Sequence, residues 1–388
     1  MNIKALAIVV CILGLGGCAS VPVPPLPTQL LWQDQAFGYD PALVTVGKHD
    51  LFALDADLLA TLKGGRLEKA SAQTRVNRLT AILYGPRHGA KIKEFPYETG
   101  HSSIAAETWR RKRGDCLSLL VLAYSIAKAM DLPATMQDVR VPPIFDRYGG
   151  VDYVAGHVNL LIKNGGRLQL VEGFGIGDVI IDFEPQIGSQ RTGTALTEDG
   201  ILARFYNNLA AEYLAEGKLD RAYAYFKAAI LTDTDFAPSY ANLALLYKRQ
   251  GLLPNAERLL RHAIALNDED DVAMRSLHQL LVSQGRDTEA LSYAKLLEAR
   301  REKNPYYWIG LGLDQFQKEN YRQAVNSLEH AEALSTGFEE VHRYLAMAYL
   351  CIGNQEEANK QASVLAALTT AARAEPAMSK KIKKLPVN

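Results

Sequence analysis

Apolar positions in the C-terminal half of the chain recur with one long period. Leu209, Leu243, Leu277, Leu311 and Leu345 stand 34 residues apart, and so do the large side chains Tyr206, Tyr240, Met274, Trp308 and His342. Gly217, Gly251, Gly285, Glu319 and Gly353 keep the same step, and five residues after each comes Ala222, Ala256, Ala290, Ala324 and Ala358. Agreement of this kind marks a repeated supersecondary unit. Glycine suits the bend between two antiparallel helices, and a small residue suits the point where those helices cross closely. The pattern predicts five helix pairs over residues 203–371, with the leucine and aromatic columns in the core between helices. Tyr213, Tyr247, Leu281, Gln315 and Tyr349 form a further column. The fourth repeat departs there and at Glu319, which predicts a less regular bend but no break.

The stretch before the repeats changes period along its length. Asp55 to Lys63 and Ser71 to Tyr84 carry apolar residues at three- and four-residue spacing, as amphipathic helices do. Leu117 to Tyr124 is apolar nearly all round, the pattern of a helix buried at the centre of a domain. His157 to Ile162 reads as a strand, Asn164-Gly165 as a hairpin turn, Arg167 to Glu172 as the return strand, and Val179 to Phe183 as another strand. This sets residues 37–188 as a mixed domain. Ser189 to Leu202, rich in Gly and Thr, reads as a linker to the repeats.

With 388 residues, the chain exceeds what one core usually organises. Its 43 basic and 43 acidic residues give a formal net charge of zero, which gives no reason to expect a nucleic-acid partner. Lys4 and the apolar run Ala5 to Leu15 have the size of a signal peptide and are too short to span a bilayer. Leu15-Gly16-Gly17-Cys18 resembles the lipobox of bacterial lipoproteins. That resemblance implies removal of residues 1–17, lipidation of Cys18, and, with Ala19 following, a periplasmic protein anchored to the outer membrane. Residues 18–36, with the proline-rich run Val21 to Pro27, then read as an extended tether. Pro376 and the lysines of residues 380–384 mark residues 372–388 as a solvated basic tail. Cys351, within a repeat helix, reads as a small buried thiol. The histidines do not pair with Cys or acids at metal-ligand spacing, and no cofactor is called for.

The repeat columns resemble the tetratricopeptide family. The resemblance implies a superhelix whose concave face is lined by the first helix of each pair and holds a protein or peptide partner.

Asp115 is a good N-cap residue, and it places Cys116 in the first turn of the apolar helix. There the unpaired backbone donors favour an anion, so a thiolate is expected to form more easily than in a free thiol, with the Asp115 charge working mildly against it. Gly114-Asp115-Cys116 opening a buried helix, Gly156-His157-Val158-Asn159 opening a strand, and Ile181-Asp182-Phe183-Glu184-Pro185 together resemble transglutaminase-like enzymes. The resemblance covers residues 95 to 186 and implies an α+β domain with a core helix packed on an antiparallel sheet. In that superfamily a cysteine attacks an amide carbonyl, a histidine relays the proton and an acid orients the imidazole. Those roles fall on Cys116, His157 and Asp182. An Asn164-Gly165 turn would instead make Glu172 the cross-strand neighbour of His157, so Glu172 is the alternative acid.

The expected activity is therefore that of a cysteine peptidase, amidase or acyl transferase, with the repeats recruiting a substrate or partner. The alternative is an inactive envelope scaffold that binds proteins through the repeats.

Overall fold

The computed structural model of the chain describes Leu26 and residues 31–63, 70–84, 95, 96, 98, 100–139, 145–148, 151–154, 157–163, 169–171, 174, 175, 178–183, 193–334 and 339–382. The signal-peptide residues, Cys18 and the proline-rich run apart from Leu26 lie outside the described residues, as do Glu172 and the Asn164-Gly165 turn.

Helices α1 (Lys48–Phe52), α2 (Ala56–Lys63), α3 (Ala72–Tyr84) and α4 (Ala105–Arg111) surround α5 (Cys116–Ala129). From Leu117 to Ala127 every α5 residue except Tyr124 is buried, as its all-round apolar pattern predicts. Beside it lies a four-stranded antiparallel sheet in the order β7 (Val179–Ile181), β4 (His157–Ile162), β1 (Ala134–Val139), β8 (Thr194–Leu196). Strand β4 is buried along its whole length. Strands β2 (Phe145–Tyr148) and β3 (Val151–Val154) form one two-stranded ribbon, and β5 (Gln169–Val171) and β6 (Phe174–Gly175) form another.

Among the described residues, the expected pairing of residues 157–162 with the return strand at 167–172 is not found. Strand β4 is flanked by β1 and β7, with Leu160 opposite Met136 on one side and Ile181 on the other, while β5 pairs with β6. An Asn-Gly turn satisfies local geometry, but burying both edges of an apolar strand at the centre of a sheet outweighs it.

The linker expectation also needs correcting. Strand β8 lies inside residues 189–202 and joins the sheet beside β1, and the first repeat helix, α6 (Glu198–Ala215), starts within the same stretch. Thr197 caps α6 through its side chain, and Ile201 and Leu202 are buried.

The repeats run through α7 (Leu219–Thr232), α8 (Ala237–Arg249), α9 (Leu253–Leu266), α10 (Asp271–Ser283), α11 (Asp287–Glu302), α12 (Pro305–Gln317), α13 (Tyr321–Leu334), α14 (Glu339–Cys351) and α15 (Gln355–Ile382). All five alanines of the crossing column are buried. At the bends, Gly217, Gly251, Gly285 and Gly353 take φ of 76, 73, 71 and 81°, and Glu319 takes 61°. The fourth bend is thus as regular as the others. Asn320 N–H donates to Gln315 O at 2.9 Å, as Lys218 N–H does to Tyr213 O at 2.9 Å. The helix-ending bond, a backbone device, determines the shape whichever residue occupies the left-handed position.

Helix α15 continues through Pro376 to Ile382, in place of the tail expected from residue 372. The alanine-rich run around it favours helix strongly enough to carry the chain on. Cys351 is exposed, against the expectation of a buried thiol. It continues the 34-residue column of Arg249, Ser283 and Gln317, all of which face solvent.

Residues 31–46, read partly as tether and partly as the start of the mixed domain, instead lie against the first two repeats. Phe37 stacks on Tyr223 at 4.6 Å and on Tyr247 at 5.6 Å between ring centroids. Asp34 accepts from Tyr223 Oη at 2.7 Å and from Lys227 Nζ at 2.7 and 2.9 Å. Tyr247 Oη donates to Leu31 O, and Tyr206 Oη donates to Val46 O. Tyr206, Tyr223 and Tyr247 of repeats one and two are therefore covered by the chain's own N-terminal strap.

One continuous core runs from Leu31 to Ala290, through both the mixed domain and the first three repeats. A second, from Ile309 to Ala358, belongs to repeats four and five. Helix α11 separates them: Ala290 is its one buried residue among those described, and Leu291 and Leu296 are exposed.

Candidate functional site

The Gly114-Asp115-Cys116 turn begins α5 with little room to spare. A Cβ on Gly114 would stand 2.9 Å from Ser118 Cβ and 3.3 Å from Thr108 Cγ2, so a side chain there would push the helix start away from α4. Asp115 caps the helix, accepting from Ser118 N–H at 2.7 Å. Cys116 follows as the first helical residue, and α5 packs on β1 and β4, the strand that opens with His157.

His157 lies opposite Val139 on β1. On the other side of β4, Leu160 pairs with Ile181, and one further step of that register sets Asp182 opposite Asn159. Side chains at 157, 159 and 182 then share a face, with Asp182 diagonal to His157. The ring and the carboxylate meet there: His157 Nε2 and Asp182 Oδ2 are 2.8 Å apart, with side-chain exposures of 4% and 14%. Tyr84, at the end of α3, holds the acid's backbone, its Oη donating to Asp182 O at 3.1 Å while its ring stacks on Phe183. Of the two candidate acids, the structure brings Asp182 to His157; Glu172 lies outside the described residues.

The electrostatics of Cys116 run against the sequence expectation. The residue keeps some open surface, yet its thiol is densely enclosed, and that burial pushes it up to about 12. The Asp115 and Asp182 charges push the same way, while the N–H groups of Leu117 and Cys116 itself, the donors expected to favour a thiolate, pull it down without prevailing. A helix terminus supplies only partial charge, and desolvation of a full thiolate is the larger effect. Among the described residues no hydrogen bond joins Cys116 Sγ to the His157 ring.

Behind the cysteine lies a polar cluster with no sequence signal. Ser102 Oγ donates to Asp115 Oδ2 at 2.6 Å and accepts from Asn208 Nδ2 at 3.1 Å, and Ser102 N–H donates to Glu212 Oε1 at 2.8 Å. Asn208 and Glu212 sit one turn apart on α6, the first repeat helix. Further contacts of α6 with the mixed domain are Arg204 with Asp138 at 2.5 Å, and Glu198 with Tyr124 at 3.0 Å and Lys128 at 2.6 Å.

The basic run before Cys116 is largely engaged. Arg111 pairs with Glu98 at 2.7 Å, Arg110 lies 3.5 Å from Asp55, and Lys112 stands over the Trp109 ring. Among the described residues no group of three His, Cys, Asp or Glu side chains is arranged to hold a metal ion, and no helix is long and apolar enough to cross a membrane.

The fold and this surface define a helical-repeat protein with a small antiparallel sheet at its N-terminal side. The chain carries tetratricopeptide repeats: the family model of that description matches residues 203–236 and 237–270. Repeats of this kind bind peptide or protein partners. Among solved structures the chain is similar to YrrB, described as a tetratricopeptide repeat protein with an unusual peptide-binding site. The identity is 18% and the TM-score 0.25, over 47% of this chain and 92% of that one. It is also similar to MamA, at 17% identity and a TM-score of 0.25 over 49% and 99% of the two chains. Pseudomonas aeruginosa pilF matches at 19% identity and a TM-score of 0.26, over 44% and 78%. No curated protein matches the chain.

Proposed function

We propose that the protein is a cysteine-dependent enzyme of transglutaminase-like type, acting on an amide bond of a peptide or protein that its repeats recruit directly or through a partner. A lipid on Cys18 holds it in the periplasm, at the outer membrane. The observation that carries the catalytic reading is the 2.8 Å contact between His157 Nε2 and Asp182 Oδ2, on a strand packed against the helix that Cys116 opens.

With Nε2 turned to Asp182, Nδ1 is the ring nitrogen left for the thiol. Because burial disfavours a standing thiolate, the proton passes from Sγ to Nδ1 as Sγ bonds to the amide carbonyl carbon. The C–N bond then breaks, the departing amine takes that proton from the imidazolium, and a thioester remains. Water releases an acid from the thioester, and an amine releases a new amide; Cys116 recovers its proton in either case. Asp182 holds the tautomer and offsets the charge on the imidazolium.

The test is peptide-resolved alkylation of the full chain from pH 5 to 9, wild type against His157→Ala, with exposed Cys351 as internal reference. Slower Cys116 labelling in His157→Ala supports the reading; unchanged labelling removes it. Proteins captured from membranes by Cys116→Ala and cleaved or joined by wild type identify the substrate. Cys18→Ala should leave the protein soluble, and unchanged membrane retention counts against the anchor.

A second reading, an inactive scaffold binding through its repeats, is favoured by the raised thiol and by the missing Sγ to imidazole bond. It predicts that the repeats alone capture the same proteins as the full chain, none of them altered by wild type.

A further inference from the structure

The first repeat helix reaches past its own core into the polar cluster behind Cys116, and this contact differs in kind from the surface ion pairs around it. Ser102 is 3% exposed and Asp115 7%. The Asp115 carboxylate is bonded on both oxygens, Oδ1 to Ser118 N–H and Oδ2 to Ser102 Oγ. Ser102 is in turn held by two side chains of α6, Asn208 at its hydroxyl and Glu212 at its N–H. Its neighbour Ser103 ties the same segment to α5, donating N–H to Ser118 Oγ at 2.8 Å. The residue that caps the cysteine helix thus has its second oxygen fixed by a serine whose own position is set by the repeat array.

We propose that α6 is a working part of the cysteine site: Asn208 and Glu212 hold Ser102, Ser102 holds the Asp115 carboxylate, and Asp115 sets the seat and charge environment of Cys116. Asn208, Glu212 and Ser102 are positioning residues. The inference rests on the cysteine-enzyme reading above for its meaning in catalysis, but the physical coupling is measurable without turnover.

The reason for expecting coupling is that a buried polar chain transmits changes that an exposed one loses to water. If Ser102 loses its hold, the Asp115 oxygen it bonded loses the Ser102 hydroxyl, and both the cap and the charge next to the thiol change. Glu212 itself faces Ser102 N–H and His101, whose Nδ1 is 3.8 Å from Glu212 and whose Nε2 is 3.6 Å from Glu107 on α4. The charges of Asp115, Glu216 and Arg111 also act on it. Each of these is present in every variant below, so a shared change of ionic surroundings does not imitate the effect.

The experiment follows the pH midpoint of Cys116 alkylation by iodoacetamide in the full chain, read by mass spectrometry with Cys351 in the same molecule as reference. In Ser102→Ala and in Glu212→Ala the Cys116 midpoint is expected to move by about half a pH unit or more, with Cys351 unmoved. Glu212→Gln, which keeps an acceptor for Ser102 N–H, is expected to restore most of the wild-type profile. Ser102→Ala is nearly isosteric and guards against a fold defect in the Glu212 variants, with circular dichroism as check. Unmoved Cys116 midpoints in both alanine variants overturn the proposal, as does a Glu212→Gln profile as displaced as that of Glu212→Ala. An unchanged rate in His157→Ala with moved midpoints in the alanine variants leaves the coupling standing and fails the enzyme reading instead.

Discussion

His157 Nε2 and Asp182 Oδ2 meet at 2.8 Å across two strands, one residue beyond the last paired position of β7. The contact requires β7, not the segment after the Asn164-Gly165 turn, to lie beside β4. Asp182→Asn should therefore slow Cys116 alkylation near pH 8 in the same direction as His157→Ala, by roughly tenfold or more. Glu172→Gln should behave as wild type. Equal effects of the two acid substitutions in a labelling time course would remove Asp182 from its proposed role.

Asp115 has two opposed effects on its neighbour. Its side chain starts the helix that carries Cys116, and its charge, next after burial, pushes the thiol up. Asp115→Asn keeps an oxygen for Ser118 N–H and removes the charge. Its Cys116 labelling profile should shift to lower pH, raising the rate at pH 8 by roughly threefold or more. A shift to higher pH would mean that the cap, not the charge, dominates.

Glu212 is pushed up to about 7 from an ordinary 4.5, first by burial and against the Ser102 N–H bond that favours its charged form. A carboxyl raised on folding binds its proton more tightly in the native state. Its contribution is fully present below pH 4.5 and lost as pH rises through 7. Glu212→Gln should therefore stabilise the protein at pH 8 by up to about 3 kcal/mol and have little effect at pH 4, measured by urea denaturation. The same gain at both pH values would exclude ionisation as its cause.

What the sequence makes legible follows from the range of the forces involved. The repeat columns can be read because each answers a local demand at fixed spacing, and the N-cap at Asp115 and the burial of α5 are equally local. The strap is not legible: Asp34 finds Tyr223 and Lys227 some 190 residues away, and nothing near Asp34 signals it. Ser102, Asn208 and Glu212 escape for the same reason, since each is an ordinary polar residue until the two parts of the chain dock. The hairpin is not legible because a local turn signal says nothing of the sheet-wide choice that pairs β4 with β1 and β7. The raised thiol is not legible either, because a sequence displays helix ends but not the depth at which they are buried.

Glu319 holds a left-handed backbone that its repeat equivalents hold with glycine. A side chain in that conformation costs roughly 1–2 kcal/mol, and glycine loses part of that advantage through its greater freedom when unfolded. Glu319→Gly should raise stability by about 1 kcal/mol in the fourth and fifth repeats, seen as a higher melting temperature. A fall would show that the Glu319 side chain contributes more than its backbone strain removes.

The two cores set the last expectation. Repeat arrays are held by neighbour contacts, and at the junction of repeats three and four α11 buries Ala290 alone among its described residues while exposing Leu291 and Leu296. The first three repeats share a core with the N-terminal domain, whereas the last two have only their own. Denaturation should therefore proceed in two steps, with repeats four and five lost first. Hydrogen exchange followed by residue should show α12 to α14 opening at lower denaturant than α6 to α9. Ala290→Ser, which places a hydroxyl where α10 and α11 meet, should narrow the gap between the steps, because it loosens the third repeat and lowers the midpoint of the later one. A single cooperative transition with uniform protection would mean that the α11 to α12 junction carries more coupling than its sparse burial suggests.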